Sequence, residues 1–255
     1  MSSEPKVYFI GAGPGAVEHL TLKGAEALSR CLTVFAPAPY EETFAGHLQG
    51  KTVLVPFDFS FADLLARIRR SLELGSVAFL VPGDQTFYSP FQGVIDALAE
   101  QAEVIPGVGT ANAASALLKK TLDLPRVCNR AIITSPRQLQ ETAGAPGLSE
   151  LAAPGVTLLL YMVHRPLSEV VAELRAGYGR DVPIAILHRL GLPGETVVTG
   201  TLDDIVTKVG DRDFFGLTGD RQGPSLSLVL VGESLTATND GAWWDHKREK
   251  VWGKE

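Results

Sequence analysis

The sequence predicts an α/β protein with mostly parallel strands, organised as two α/β domains. Three observations carry this reading. Short Val/Leu/Ile-rich runs alternate with stretches whose apolar residues recur at helical spacing. A first run from Val7 passes through the glycine-rich turn "GAGPG" into a helical pattern ending near Leu28. The alternation then pauses at "LDLPR", Leu122 to Arg126, and starts again. A chain of 255 residues is long enough for one large or two modest domains. The expected division is an N-terminal α/β domain over 1–122, a C-terminal α/β domain over 126–232, and a charged tail over 233–255 holding all three tryptophans.

In chain order, the opening strand and helix are followed by a second apolar run, "LTVFAPAPY", Leu32 to Tyr40. "FADLLARIRRSLELG" places Phe61, Leu64, Leu65, Ile68 and Leu72 on one helical face and closes on Gly75. "VAFLV", Val77 to Val81, is a strand, the turn "PGDQTFYSP" follows, and a helix starts from Pro90, a residue suited to a first turn. A short strand at Glu103 to Ile105 leads through "PGVGT" to the small-residue helix "ANAASALLKKT", with Thr110 expected as its N-cap. The second half predicts strands at Ala131 to Thr134, Val156 to Tyr161, Ile184 to Leu187, Thr196 to Val198 and Leu226 to Val231. Its helices fall near Leu167 to Ala176 and Leu202 to Val209. The tail leaves this rhythm, and its aromatic pair is expected to dock on a neighbouring lobe or subunit.

A net charge of −6 argues against a general nucleic-acid surface, so any anionic substrate must be met by a local cluster of cations. The start "MSSEPK" shows no apolar signal core, and no apolar run reaches the ~18 residues of a membrane span. A cytoplasmic enzyme without membrane or nucleic-acid partners is the expectation. Cys31 and Cys128 lie far apart, the five histidines form no H-x-x-x-H pair, and no protein-bound metal is expected.

Gly11, Gly13 and Ala16 fit G-x-G-x-x-A, a spacing that lets backbone approach a pyrophosphate at a helix N-terminus. A dinucleotide site also wants an acid about 20 residues on. Here the second apolar run ends in prolines, with Glu41 and Glu42 only after them.

Taken together, "GAGPG", "LTLKG", "PGDQTFYSP", "VIPGVGTANAASALL" and "TLLLYMVHRPLSEVV" resemble the tetrapyrrole methylases in order and spacing, over Val7 to about Gly232. The resemblance implies two α/β domains with the cofactor cleft between them, a homodimer, and S-adenosyl-L-methionine as methyl donor. It also implies a corrin-precursor tetrapyrrole as substrate. It places Pro14, Pro82, Gly83, Asp84, Phe87, Thr110, Ala111, Met162 and backbone near Leu190 against the donor, which explains why no ribose acid is needed. A sulfonium with an adenine and an amino-acid tail wants close backbone groups and an apolar wall. The alternative roles are a cap of its own turn for Asp84 and plain core for Met162.

"TLDLPRV" with "AIIT" resembles the precorrin-4 enzymes that methylate carbon 11. "VFAPA" and "DQTFYSPF" are closer to the precorrin-2 enzymes acting at carbon 20. A uroporphyrinogen-III methyltransferase or a diverged donor-binding member are further alternatives. The family's first loop commonly reads G-x-G-P-G-D-P, whereas Ala16 and Val17 stand here, and Gln85 replaces the proline of G-D-P. Direct methyl transfer requires alignment rather than a nucleophilic side chain, so no catalytic residue is assigned. Carboxylates on the substrate call for cations, and Lys119, Lys120, Arg126, Arg130, Arg165 and Arg189 are the candidates, with Arg137, His164 and His188 beside them.

Overall fold

The computed structural model describes residues 4–218, 225–239 and 241–253. The chain divides into two compact units, residues 1–113 with 189–195, and residues 114–188 with 196–255.

The first unit contains β1 (Val7–Gly11), α1 (Leu22–Arg30), β2 (Thr33–Phe35), α2 (Tyr40–Thr43), α3 (Ala45–Leu48), β3 (Thr52–Leu54), α4 (Phe61–Leu72), β4 (Val77–Val81), α5 (Gln92–Leu98), β5 (Ala102–Ile105) and the first turn of α6 (Thr110–Leu118). Its sheet has the order β3-β2-β4-β1-β5, with every pair parallel. Connections from β1 to β2 to β3 run one way along the sheet, and those from β3 to β4 to β5 run back. Right-handed crossovers therefore place the two sets of helices on opposite faces. The packing agrees. Ala27 and Leu28 of α1 join Tyr40, Phe44 and Leu48 over Ile10, Ala78 and Leu80, while Leu64, Ile68, Val94 and Leu98 cover Phe9, Val77 and Phe79. On that second face Phe9 and Phe35 both stack on Phe79, at 4.8 and 4.5 Å between ring centres. Thr21 and Ser60 cap α1 and α4 by accepting from the Gly24 and Asp63 N–H groups.

The second unit contains β6 (Arg130–Thr134), α7 (Pro136–Glu141), α8 (Leu148–Leu151), β7 (Val156–Tyr161), α9 (Leu167–Tyr178), β8 (Pro183–His188), β9 (Thr196–Thr201), α10 (Ile205–Val209), β10 (Ser227–Val231) and α11 (Gly241–Trp252). Here the expectation of mostly parallel strands is corrected. In the order β6-β7-β10-β8-β9 only β6 and β7 pair parallel, and the other three pairs are antiparallel. The loop from β8 to β9 is too short for a crossover, so these strands form a hairpin, and β10 inserts between β7 and β8 opposed to both. As a result β6, β7 and β8 run in the same direction and end at the same edge. Helix α9 seals one face with Val170, Val171, Leu174 and Tyr178 over Leu158, Leu160, Ile186 and Val229. It stops at Gly179, whose φ of 66° suits a residue without Cβ.

Several element bounds also move. The run at Leu32 to Tyr40 is a strand only over Thr33–Phe35, after which Tyr40 starts a short helix. The helix expected from Pro90 begins at Gln92, and that expected from Leu202 begins at Ile205. The tail, expected outside the α/β rhythm, forms helix α11, on which Trp244 and Trp252 remain 62% and 63% exposed on this chain.

Candidate functional site

Three loops leave the carboxyl ends of neighbouring parallel strands β4, β1 and β5, the position where open parallel sheets bind ligands. They are residues 12–16, 82–90 and 106–109, and backbone contact fuses them. Gly13 and Gly83 exchange N–H···O bonds at 2.9 and 2.8 Å, and both have positive φ, 75° and 67°. The end of β1 and the third loop approach even more closely, since a Cβ on Gly11 would lie 2.5 Å from the Gly107 N. Only glycine fits such a contact. Buried Tyr40 donates to the Gly13 O at 2.6 Å, fixing the first loop from α2. Burial pushes the Tyr40 phenol up from its ordinary range.

A fourth segment joins them. Residues 189–195 group with this unit, and a Cβ on Gly15 would stand 2.8 Å from the Leu190 O and 2.5 Å from the Leu192 Cγ. Gly191, at φ 72°, packs against the Ala16 N in turn. Its own N–H donates to the Glu195 Oε2 at 2.7 Å.

Of the residues expected at the methyl donor, Pro14, Pro82, Gly83, Asp84, Phe87 and Leu190 lie on these four segments, and Thr110 and Ala111 open α6 directly after the third. Asp84 adopts the turn-capping role: Oδ1 accepts from the Thr86 N at 3.0 Å and Oδ2 from the Thr86 Oγ1 at 3.2 Å. Its carboxylate also borders Gly109. Thr110 is the first residue of α6 rather than its N-cap, because the Gly109 O accepts the first helical bond, from the Ala113 N. Phe87 is 46% exposed, an apolar ring held at the surface of the second loop. Gln85 ties that loop across its turn, its Oε1 accepting from the Ser89 Oγ at 2.6 Å. Between them Tyr88 holds φ 58°, an uncommon conformation for a bulky residue.

Met162 belongs to the second unit, at the end of β7, and it too has positive φ, 51°. Strained residues of this kind cost about 1–3 kcal/mol and gather at ligand sites. In the same unit Thr134, Met162 and His188 mark the common carboxyl edge of β6, β7 and β8.

The candidate cations do not share one place. Arg130 begins β6, roughly 13 Å along the strand from Thr134, and its Nη2 donates to the Pro154 O at 3.3 Å. Arg126, at φ 68°, lies in the exposed turn before it. Lys119 is exposed at the end of α6, whereas the Lys120 Nζ donates to the Ala237 O at 2.8 Å. Arg137 is exposed on α7. Arg165 follows Met162 and pairs with Glu173 of α9. That hydrogen bond holds the Glu173 carboxyl below its usual range against the opposing effect of burial. Arg189 has φ 54°, and its Nε donates to the Pro193 O at 2.8 Å, closing the 189–195 loop. His164 meets the Gln140 Oε1 at 2.9 Å, and His188 meets the Ser227 Oγ at 2.8 Å.

Residues 6–206 match the family described as Tetrapyrrole (Corrin/Porphyrin) Methylases. The chain belongs to the tetrapyrrole methylases. It is 34% identical to the precorrin-4 C(11)-methyltransferase of Pseudomonas aeruginosa, over 91% of each chain. It is 28% identical to the cobalt-precorrin-4 C(11)-methyltransferase of Methanocaldococcus jannaschii, over 92% of this chain and 90% of the relative. The X-ray structure of a cobalt precorrin-4 methyltransferase superposes with TM-score 0.77 at 23% identity, covering 91% of this methylase and 96% of that chain. A uroporphyrin-III C-methyl transferase from Thermus thermophilus, complexed with S-adenyl homocysteine, superposes at 0.65 and 24%, covering 90% and 98%. At those identities the two structures speak for the fold alone.

The first unit of this tetrapyrrole methylase carries groups of several chemical kinds on these loops. Asp84 is a carboxylate oriented by Thr86. The first turn of α6 carries backbone N–H groups for a carboxylate. Exposed Phe87 and Pro82 offer apolar contact, and the fused glycine loops bring main chain to the surface. Sequence reasoning did not single out Tyr40, Gly107 and Gly191 as supports of these loops. Gly107 stood in the quoted "PGVGT" turn, where its spacing was the available signal. Nothing local marks Tyr40, whose role depends on a contact 27 positions away.

Proposed function

We propose that this chain is an S-adenosyl-L-methionine-dependent C-methyltransferase acting on carbon 11 of precorrin-4 in cobalamin biosynthesis. The observation that carries the reading is the 34% identity to a precorrin-4 C(11)-methyltransferase over 91% of both chains. Further relatives of the same name match at 30%. These weigh against the carbon-20, uroporphyrinogen-III and non-catalytic alternatives. When bound, the donor supplies a methyl group activated by a sulfonium. The chain's part is to hold and align. Asp84, Thr110, Ala111 and the backbone at Gly83 and Leu190 fix the donor, with Pro14, Pro82 and Phe87 as its apolar surroundings. Such alignment can contribute up to about 7–11 kcal/mol of the barrier, and exclusion of water protects the cation.

The same reading includes a homodimer in the cytoplasm. A net charge of −6 is poorly suited to nucleic acid, and no helix among the described residues is long and apolar enough to cross a membrane. Relatives carry both precorrin-4 and cobalt-precorrin-4 names, so any cobalt arrives with the substrate. The test is incubation with precorrin-4 and with cobalt-precorrin-4 in the presence of labelled donor. Label appearing at carbon 11 is the expected result. Donor binding without transfer to either ring overturns the assignment. A calorimetric response to NAD or FAD but none to S-adenosylhomocysteine would restore the dinucleotide reading.

A further inference from the structure

Three segments of the first unit meet at one backbone oxygen. The Gly13 O accepts from the Gly83 N at 2.8 Å and from the Tyr40 Oη at 2.6 Å. A backbone carbonyl has two lone pairs, so both are engaged: one by the second loop, the other by α2. The reverse bond, from the Gly13 N to the Gly83 O at 2.9 Å, completes the pair between the loops.

The two glycines do not set this arrangement by themselves. Each has positive φ, a region that glycine occupies about as readily as the negative one, so the loops need an anchor outside them. Tyr40 has the properties of such an anchor. It is buried, its N–H donates to the Pro37 O at 2.8 Å, and its ring stacks on Phe44 at 5.7 Å between centres, inside the cluster that holds Ala27, Leu28 and Ile10. The hydroxyl is the only polar group of this side chain, and it is spent on the Gly13 O.

The anchored oxygen lies next to the groups assigned to the donor. Pro14 follows Gly13, and Pro82 and Asp84 flank Gly83. A Cβ on Gly83 would stand 3.1 Å from the Thr110 Oγ1, so the second loop rests against the start of α6. A displacement of the Gly13 O is therefore passed to the first loop, the second loop and α6 together.

We propose that Tyr40 is a positioning residue for the methyl donor: its hydroxyl holds the paired first and second loops at the spacing that binds S-adenosyl-L-methionine, without touching that ligand. This rests on the reading of those loops as the donor site. Phenylalanine at position 40 keeps the ring and its packing but leaves the Gly13 O with the Gly83 N alone.

The test compares Tyr40→Phe with Tyr178→Phe in the full chain. Tyr178 is a matched control in the second unit, also buried, with its Oη donating to the Val156 O at 3.0 Å and the Val231 O at 3.2 Å. Both variants lose a buried bond and should melt lower. In calorimetric titration with S-adenosylhomocysteine, the Kd should rise about fivefold in Tyr40→Phe and stay within about twofold of wild type in Tyr178→Phe. In methyl transfer to precorrin-4 by Tyr40→Phe, the Michaelis constant for the donor should rise about fivefold and that for the tetrapyrrole should stay within about twofold. Unchanged donor affinity in Tyr40→Phe overturns the proposal and leaves the proposed function standing. Equal weakening in both variants, equal weakening of donor and tetrapyrrole in Tyr40→Phe, or a Tyr40→Phe chain that does not fold assigns the hydroxyl to general stability and also overturns it. Wild-type protein that binds no S-adenosylhomocysteine overturns the donor reading of the loops, and the positioning role with it.

Discussion

Replacing Gly11 by alanine tests whether the contact between the end of β1 and the third loop is as tight as the backbone places it. The new Cβ would lie 2.5 Å from the Gly107 N and 2.6 Å from the Gly107 Cα, where ordinary contact begins at 3.4 Å. The loops must then part by about 0.9 Å (3.4 − 2.5). Both partners are main chain, so neither has a rotamer to yield, and the cost should reach the upper end of the overpacking range, about 3 kcal/mol. At this chain length about 2–4 °C is lost per kcal/mol, so a fall in Tm of roughly 6–12 °C is expected in a melting scan. S-adenosylhomocysteine affinity should fall with it, because the displaced loops are those assigned to the donor. Gly46→Ala is the control. Its Cβ meets nothing within 4 Å inside α3, and it should stabilise by roughly 0.5–1 kcal/mol. A Gly11→Ala protein melting within about 2 °C of wild type would show that the loops can separate freely and would refute the argument.

Three further outcomes are expected. Gln85→Ala removes the bond to the Ser89 Oγ, worth about 1 kcal/mol, and should raise the donor dissociation constant about fivefold in titration calorimetry without changing tetrapyrrole affinity. Arg130→Ala should leave the Michaelis constant for the tetrapyrrole within about twofold, since that exposed side chain stands at the far end of β6 from the carboxyl edge. Tyr40 and Tyr178 are both pushed up by burial, and the Cys31 thiol to about 11. The folded state therefore holds these protons longer than the unfolded one. Their contribution is intact below the unfolded values and is lost progressively as pH rises from about 9 to about 11 for the thiol and from about 10 upward for the phenols, at up to ~1.4 kcal/mol per pH unit for each. Denaturant titrations from pH 8 to 11.5 should show this loss, and Tyr40→Phe should make it shallower.

Local pattern revealed the strand-turn-helix units because each announces itself within some twenty residues. The β1 loop and α1 are legible in this way: a buried apolar run, paired glycines and a helical pattern are written side by side. The direction of β10 is not. A five-residue apolar run reads the same whether its neighbours run with it or against it, and only the placement of Ser227–Val231 between β7 and β8 decides. Short α2 and α3 were invisible for a related reason. Four-residue helices have no period to detect, and Tyr40, Phe44 and Leu48 form a buried row only once α1 lies beside them. For the candidate site, the glycine loops were readable as motifs. The grouping of the cations was not, because neighbours in sequence such as Lys119 and Lys120 face different surroundings.

The first unit recruits residues 189–195 from far along the chain, so it is not complete when Ala113 leaves the ribosome. Another 82 residues (195 − 113) must be made before Leu190 and Leu192 can reach Gly15. At about 5–20 residues per second, synthesis leaves the glycine loops without this support for roughly 4–16 s. During that interval the parallel sheet can form while its ligand-facing edge stays unfinished. The nascent protein therefore completes the surface proposed to hold the donor late, after the hairpin of the second unit has begun to emerge. Gene fragments ending near residue 113 would yield a sheet lacking one wall of that surface.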